Sequence, residues 1–164
     1  MESGIDRDLL FVLAEVSVAV TGFAGIAGAI GSPKSEVGRR YVRSVVDSGA
    51  WTVVLSLLPA FVGLFGLSEE TVWRASSGIA LIVIVAYWAR LLTRSGPKLA
   101  FEGVFARISA AGALLSLAVS VANLLGVTGE YYEAGYMYIL YWFLIQALFF
   151  FYLSIQELWT SSTQ

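Results

Sequence analysis

The chain contains no histidine and no cysteine, and each absence removes a class of chemistry. Without imidazole there is no histidine ligand for haem, no histidine metal site and no histidine general base. Without thiols there are no disulfides, no thiolate metal sites and no cysteine nucleophile, so cysteine usage says nothing about redox compartment. Charge is scarce as well, at 13% of 164 residues, and the net charge of −2 is too small to imply nucleic acid as a partner. Lysine occurs at Lys34 and Lys98, both between apolar stretches, which argues against a Schiff base within a bilayer. No cofactor is expected, and a membrane enzyme is a distant reading, because no close acidic pair of the kind hydrolysis uses is present.

What the chain has in abundance is apolar length: 58% of it is hydrophobic. Five stretches run roughly Leu9–Ile30, Ala50–Leu67, Gly78–Leu92, Ile108–Leu125 and Met137–Leu158. Most approach the ~20 residues that a helix needs to cross about 30 Å of hydrocarbon. The third helix is expected to begin earlier, near Glu69, which places the spans at about 9–30, 50–67, 75–92, 106–126 and 136–158. The fold class predicted is therefore all-α, a bundle of five transmembrane helices forming a single membrane domain over residues 1–164.

The basic residues give this bundle a direction. Four (Lys34, Arg39, Arg40, Arg43) follow the first span and four (Arg90, Arg94, Lys98, Arg107) follow the third, while Arg7 and Arg74 fall on the other side. Positive charge marks the cytoplasmic connections, so the N-terminus is expected outside and the C-terminus inside. The acidic start of the chain, Glu2 to Asp8, differs from the basic leader of a cleaved signal peptide. Arg39, Arg40 and Arg43 serve as topological charge, with contact to anionic lipid headgroups as the sharper alternative.

Local punctuation subdivides the chain further. Ser32-Pro33 reads as a helix start, with serine as cap and proline in the first turn. Pro59 falls inside the second span. Gly66-Leu67-Ser68-Glu69-Glu70 reads as a tight hairpin in which Gly66 ends one helix and Ser68 caps the next. Trp73 is assigned to the interfacial aromatic belt, and Ser95-Gly96-Pro97-Lys98 to a turn closing the third span.

Two stripes carry the candidate sites. Along the first helix Ser17, Thr21, Gly25 and Gly28 align at helical spacing, the small-residue pattern that permits close helix approach, either within the chain or between subunits. Along the fourth, Ser109, Gly112, Ser116, Ser120 and Asn123 form a polar stripe expected to face the interior. Glu15 is the acidic residue well inside a span, about 9 Å from the outer boundary at 1.5 Å per residue. A charge at mid-membrane costs ~2.5–3.5 kcal/mol on insertion scales, so Glu15 is expected neutral or hydrogen-bonded, with Asn123, Ser120, Ser56 and Tyr141 at its depth as donors. One reading makes it a proton or cation coupling site, with Asn123, Ser120, Ser116, Ser56 and Tyr141 as its polar surroundings. The other makes it a clamp that fixes helix packing.

Leu13-Ala14-Glu15-Val16 resembles the first-helix segment of small multidrug resistance transporters, where a membrane glutamate couples protons to cation efflux. The likeness covers four residues, and those transporters have four spans and little charge bias. A longer resemblance is to a family of small bacterial polytopic membrane proteins with no assigned activity. It is carried by Ala14-Glu15, Thr21-Gly22-Phe23-Ala24-Gly25-Ile26, an Arg-rich loop, Leu57-Leu58-Pro59 and Trp73-Arg74-Ala75-Ser76-Ser77, about the first half of the chain. It implies a bacterial inner-membrane location and no particular ligand. Function is expected to lie between an oligomeric channel or carrier for ions or small solutes and a non-transporting accessory or scaffold subunit. The partners are the lipid bilayer and either further copies of the chain or another membrane protein.

Overall fold

The computed structural model describes residues 7–31, 36–101 and 104–162. It is all-helical. In chain order the helices are α1 (Arg7–Gly31), α2 (Glu36–Gly63), α3 (Glu69–Phe101), α4 (Val104–Leu125) and α5 (Tyr132–Ser162), with one 3-10 turn at Gly129–Tyr131. Five helical segments are long and apolar enough to cross a membrane, one along each α-helix and the last also taking in the 3-10 turn: Asp8–Ala29, Gly38–Gly63, Glu69–Arg90, Arg107–Leu125 and Gly129–Glu157. Their outward surfaces are rich in Val, Leu, Ile and Phe, among them Val18, Phe23, Ile82, Leu114 and Leu125. Such surfaces are at home in lipid and costly in water.

Two helices run further than the apolar pattern alone suggests. The second spanning segment starts at Gly38 rather than near 50, because nothing between Glu36 and Ala50 interrupts the helix and Arg39, Arg40 and Arg43 are exposed along it. The third continues through Ser95-Gly96-Pro97-Lys98 to Phe101 instead of turning there. The proposed helix start at Ser32-Pro33 lies outside the described residues. Pro59 is accommodated inside α2.

The hairpin between α2 and α3 is built as its sequence dictates. Gly66 takes a left-handed φ of 68°, a conformation that costs glycine little. The Ser68 hydroxyl accepts from the Thr71 amide at 3.4 Å, and its carbonyl accepts from the Val72 amide at 3.0 Å. Glu69 and Glu70 then occupy the first turn of α3, where negative charge meets the positive end of the helix dipole.

The helices group into two compact units. One comprises Leu58–Trp142, the other Asp6–Leu57 with Phe143–Gln164, so α2 and α5 each contribute to both. Within the first unit α3 packs on α4, with Gly78 held against Leu124. Within the second, α1 and α2 lie antiparallel: Thr21 abuts Gly49, and Gly28 abuts Val42.

Candidate functional site

In the unit Leu58–Trp142 two serines of the polar stripe of α4 hydrogen-bond back to their own helix. The Ser116 hydroxyl donates to the Gly112 carbonyl at 2.9 Å, and the Ser120 hydroxyl donates to the Ser116 carbonyl at 2.8 Å. Bonds of this kind, one turn back along the same helix, let a hydroxyl sit in an apolar interior without a second partner. Asn123 is used differently. Its Nδ2 donates to the Ser77 hydroxyl on α3 and to the Tyr132 carbonyl on α5, each at 3.0 Å, so one amide joins three helices. The room for it comes from Gly135, where a Cβ would stand 2.9 Å from Asn123 Oδ1. Gly112 has the same role for Trp142, whose ring fills the space a Cβ would take.

At the same end of α4 a second polar group forms around Arg74. Its Nε and Nη2 donate to the Leu124 carbonyl at 3.2 and 3.0 Å, satisfying an acceptor that the end of α4 would otherwise leave open. Its Nη1 lies 3.2 Å from Glu70 Oε1, one helical turn back. The Tyr132 hydroxyl donates to that same carboxylate oxygen at 3.0 Å. The group is a latch between α3, α4 and α5. The sequence marks Arg74 only as a topological charge and Tyr132 not at all, since the latch joins residues far apart in the chain, and the carbonyl that Arg74 holds has no residue identity. Trp73, expected in an interfacial belt, is 2% exposed and packs against Tyr136 with ring centroids 5.5 Å apart.

In the unit Asp6–Leu57 with Phe143–Gln164 the small stripe of α1 meets α2. Ser17, Ala24 and the side chains of Ser48, Thr52 and Ser56 are buried, and Thr21 and Gly28 are half-buried. Gly49 lets the backbones approach: a Cβ there would collide with the Thr21 hydroxyl and stand 3.4 Å from the Ser17 carbonyl. Of the four stripe residues expected, Ser17, Thr21 and Gly28 take part. Gly25 does not. It is exposed with nothing within 4 Å of its Cβ position, and Ala24 occupies the inward place instead.

Glu15 is where structure and expectation part most clearly. It is exposed, on the side of α1 that also shows Phe11, Val12, Val18, Ala19 and Gly22. Ser17 points inward, and two residues turn a helix by about 200°, so Glu15 must point outward. It forms no hydrogen bond or ion pair among the described residues. Of the side chains expected around it, Asn123 is buried and bonded to Ser77 and Tyr132, Ser116 and Ser120 bond their own helix, and Ser56 is buried with no hydrogen-bond partner. Tyr141 is 42% exposed, on the outward side of α5 rather than in a polar core.

No family model, curated protein or solved structure matches the chain. Among the described residues no group of three or more His, Cys, Asp or Glu side chains is placed to hold a metal ion. Among the described residues, what bears on function is the outward carboxylate of Glu15 within the apolar part of α1 and the polar latch between α3, α4 and α5.

Proposed function

We propose that the chain is a small multi-pass protein of the bacterial inner membrane, N-terminus outside and C-terminus inside, that works as an oligomer. In this reading Glu15 is the polar, protonatable group at the boundary between copies, where protons, ions or small solutes pass. The observation that carries it is the exposure of Glu15 on a spanning helix, with no partner in its own chain among the described residues. A carboxylate facing lipid is costly by ~2.5–3.5 kcal/mol, and contact with a neighbouring molecule relieves that cost.

One observation favours a second reading, a non-transporting accessory or scaffold subunit. Ser116 and Ser120 of the α4 stripe donate to the backbone of their own helix, which suits a dry packed helix better than a wet path. Mass determination in nanodiscs tests the first reading: an oligomer is expected, and a lone chain would sink it. Proteoliposome flux separates them, because a folded Glu15→Gln protein should lose pH-dependent flux under the first reading and behave as wild type under the second. Cysteine labelling at Gly96 and Gly129, on a chain without native cysteine, checks orientation: cytoplasmic and outside are expected, and the reverse overturns it.

A further inference from the structure

The outward side of α2 carries charge at one end and an apolar stripe below it. Steps of three and four residues run from Arg39 through Arg43, Val46, Ala50 and Val54 to Leu57, and each of these side chains is exposed. Two cations therefore head one unbroken apolar stripe. The inward side is spent on the protein itself: Gly38, Val45, Gly49 and Thr52 are buried, Val42 lies against Gly28 of α1, and Tyr41 stacks on Phe150 of α5 with ring centroids 6.3 Å apart. These contacts all fall within the unit Asp6–Leu57 with Phe143–Gln164, so they fix the direction in which the stripe faces.

Length sets the height of the charged end. With 28 residues α2 is about 42 Å long at 1.5 Å per residue, against about 30 Å of hydrocarbon, so about two turns must stand outside it. The charged start of the helix is the part that can. Val46 to Leu57 then covers about 16 Å, close to the depth of one leaflet, and Arg39 and Arg43 stand one turn apart at the height of the headgroups. Arg43 makes no hydrogen bond or ion pair among the described residues. Helical spacing sets the nearby acids, Glu36 and half-buried Asp47, toward the flank that carries Arg40.

We propose that this face binds one anionic phospholipid, its phosphate held between Arg39 and Arg43 and an acyl chain laid along Val46, Ala50, Val54 and Leu57. Arginine presents its donors as a planar fork that meets two phosphate oxygens at once, which suits the head of the site. Other occupants use half of it. A free anion leaves the apolar stripe uncovered, and an apolar helix of another protein leaves the two charges unmatched. A purely topological role for the arginines asks nothing of the lipid species, and that is the difference to measure. The site requires that the chain spans the membrane, and it is independent of Glu15 and of copy number.

Native mass spectrometry of the chain released from nanodiscs of equal parts phosphatidylglycerol and phosphatidylcholine identifies the lipid it keeps. Phosphatidylglycerol is expected, favoured about fivefold or more, and Arg43→Gln should lower its retention about fivefold, the effect of one basic residue at an anionic surface. Arg43→Lys keeps the topological charge but not the fork, and should lower retention roughly twofold. Arg107→Gln, which removes an exposed arginine from α4, should change nothing. Undiminished retention in Arg43→Gln, or an equal loss in Arg107→Gln, overturns the site in favour of diffuse charge. Displacement of the lipid by millimolar inorganic phosphate would make it a free-anion site, and equal retention of the two lipids would leave the stripe to bulk hydrocarbon or a partner helix; either result overturns the proposal. A chain that fails to enter nanodiscs removes the membrane reading, and this site with it.

Discussion

The unit Leu58–Trp142 and the α1–α2 pair of the other unit bury polar side chains to a similar depth, yet hold their helices by different means. In the first, Asn123 bonds Ser77 and Tyr132, and Arg74 bonds Leu124 and Glu70, so polar groups reach from helix to helix. In the second, the hydroxyls of Ser17, Thr21, Ser48 and Ser56 are buried without hydrogen-bond partners, and the helices are joined through the gap that Gly49 leaves. Directional bonds fix register in the one; in the other, close approach supplies dispersion, and the hydroxyls act as small side chains. The comparison can be broken at either end, because each mode fails under a different substitution.

The largest effect is expected at Gly49. Gly49→Leu drives a branched side chain into Thr21 and the backbone of Ser17, and should cost about 3 kcal/mol, the upper part of the overpacking range. Gly28→Leu, against the tip of Val42, should cost less. Gly25→Leu is the control: nothing lies near its Cβ position, so the folded chain should keep wild-type stability. Reversible unfolding in mixed micelles measures all three, and an equal loss for Gly25→Leu and Gly49→Leu would show that the α1–α2 face is not the one described.

Asn123 comes next. Asn123→Leu removes both interhelical bonds and leaves the Tyr132 carbonyl without its amide donor, at a cost of about 1–2 kcal/mol for polar contacts between membrane helices. Loss of stability together with altered near-ultraviolet dichroism from Trp73 and Tyr136 is expected. Unchanged stability would mean that the amide only fills space.

Much of this was legible in the sequence, and the failures have definite causes. Apolar length marked the five helices, and Gly66 with Ser68 marked the hairpin, because both signals are local. The inward stripe of α1 was partly legible: steps of three and four from Thr21 reach either Ala24 or Gly25, both small, and composition alone does not separate them. Glu15 was misdirected for a different reason. Polarity suggested the interior, whereas the helical turn from Ser17 already required the exterior, so periodicity was the better guide. Arg74 and Gly49 were illegible because their roles depend on a distant carbonyl and a distant helix.

A smaller effect is expected from Arg74→Gln. The arginine side chain is 41% exposed and its Glu70 partner 56%, so solvent screening discounts the ion pair, and what remains is the bond to the Leu124 carbonyl. The cost should be about 1 kcal/mol. Raised salt should leave most of that difference in place, since it weakens the Glu70 contact more than the carbonyl bond. A difference that vanishes in high salt would assign the latch to charge instead.

The smallest effect is the one that separates the two modes most sharply. Ser56 is fully buried on α2, and its hydroxyl has no partner, so Ser56→Ala removes a polar group that contributes no bond. The oxygen is lost from a packed site, which forfeits a few contacts, while the desolvation cost of an unbonded hydroxyl is relieved. These oppose each other, and the net change should stay within about 0.5 kcal/mol of zero. Ser77→Ala removes a hydroxyl just as buried but bonded to Asn123, and should cost about 1 kcal/mol. If both serines proved equally costly, the α1–α2 pair would have to contain a bond to Ser56, and the contrast between a clasped unit and a close-packed pair would collapse. If both proved neutral, the Asn123 amide would be satisfied through Tyr132 alone, and the three-helix junction would reduce to a contact between α4 and α5.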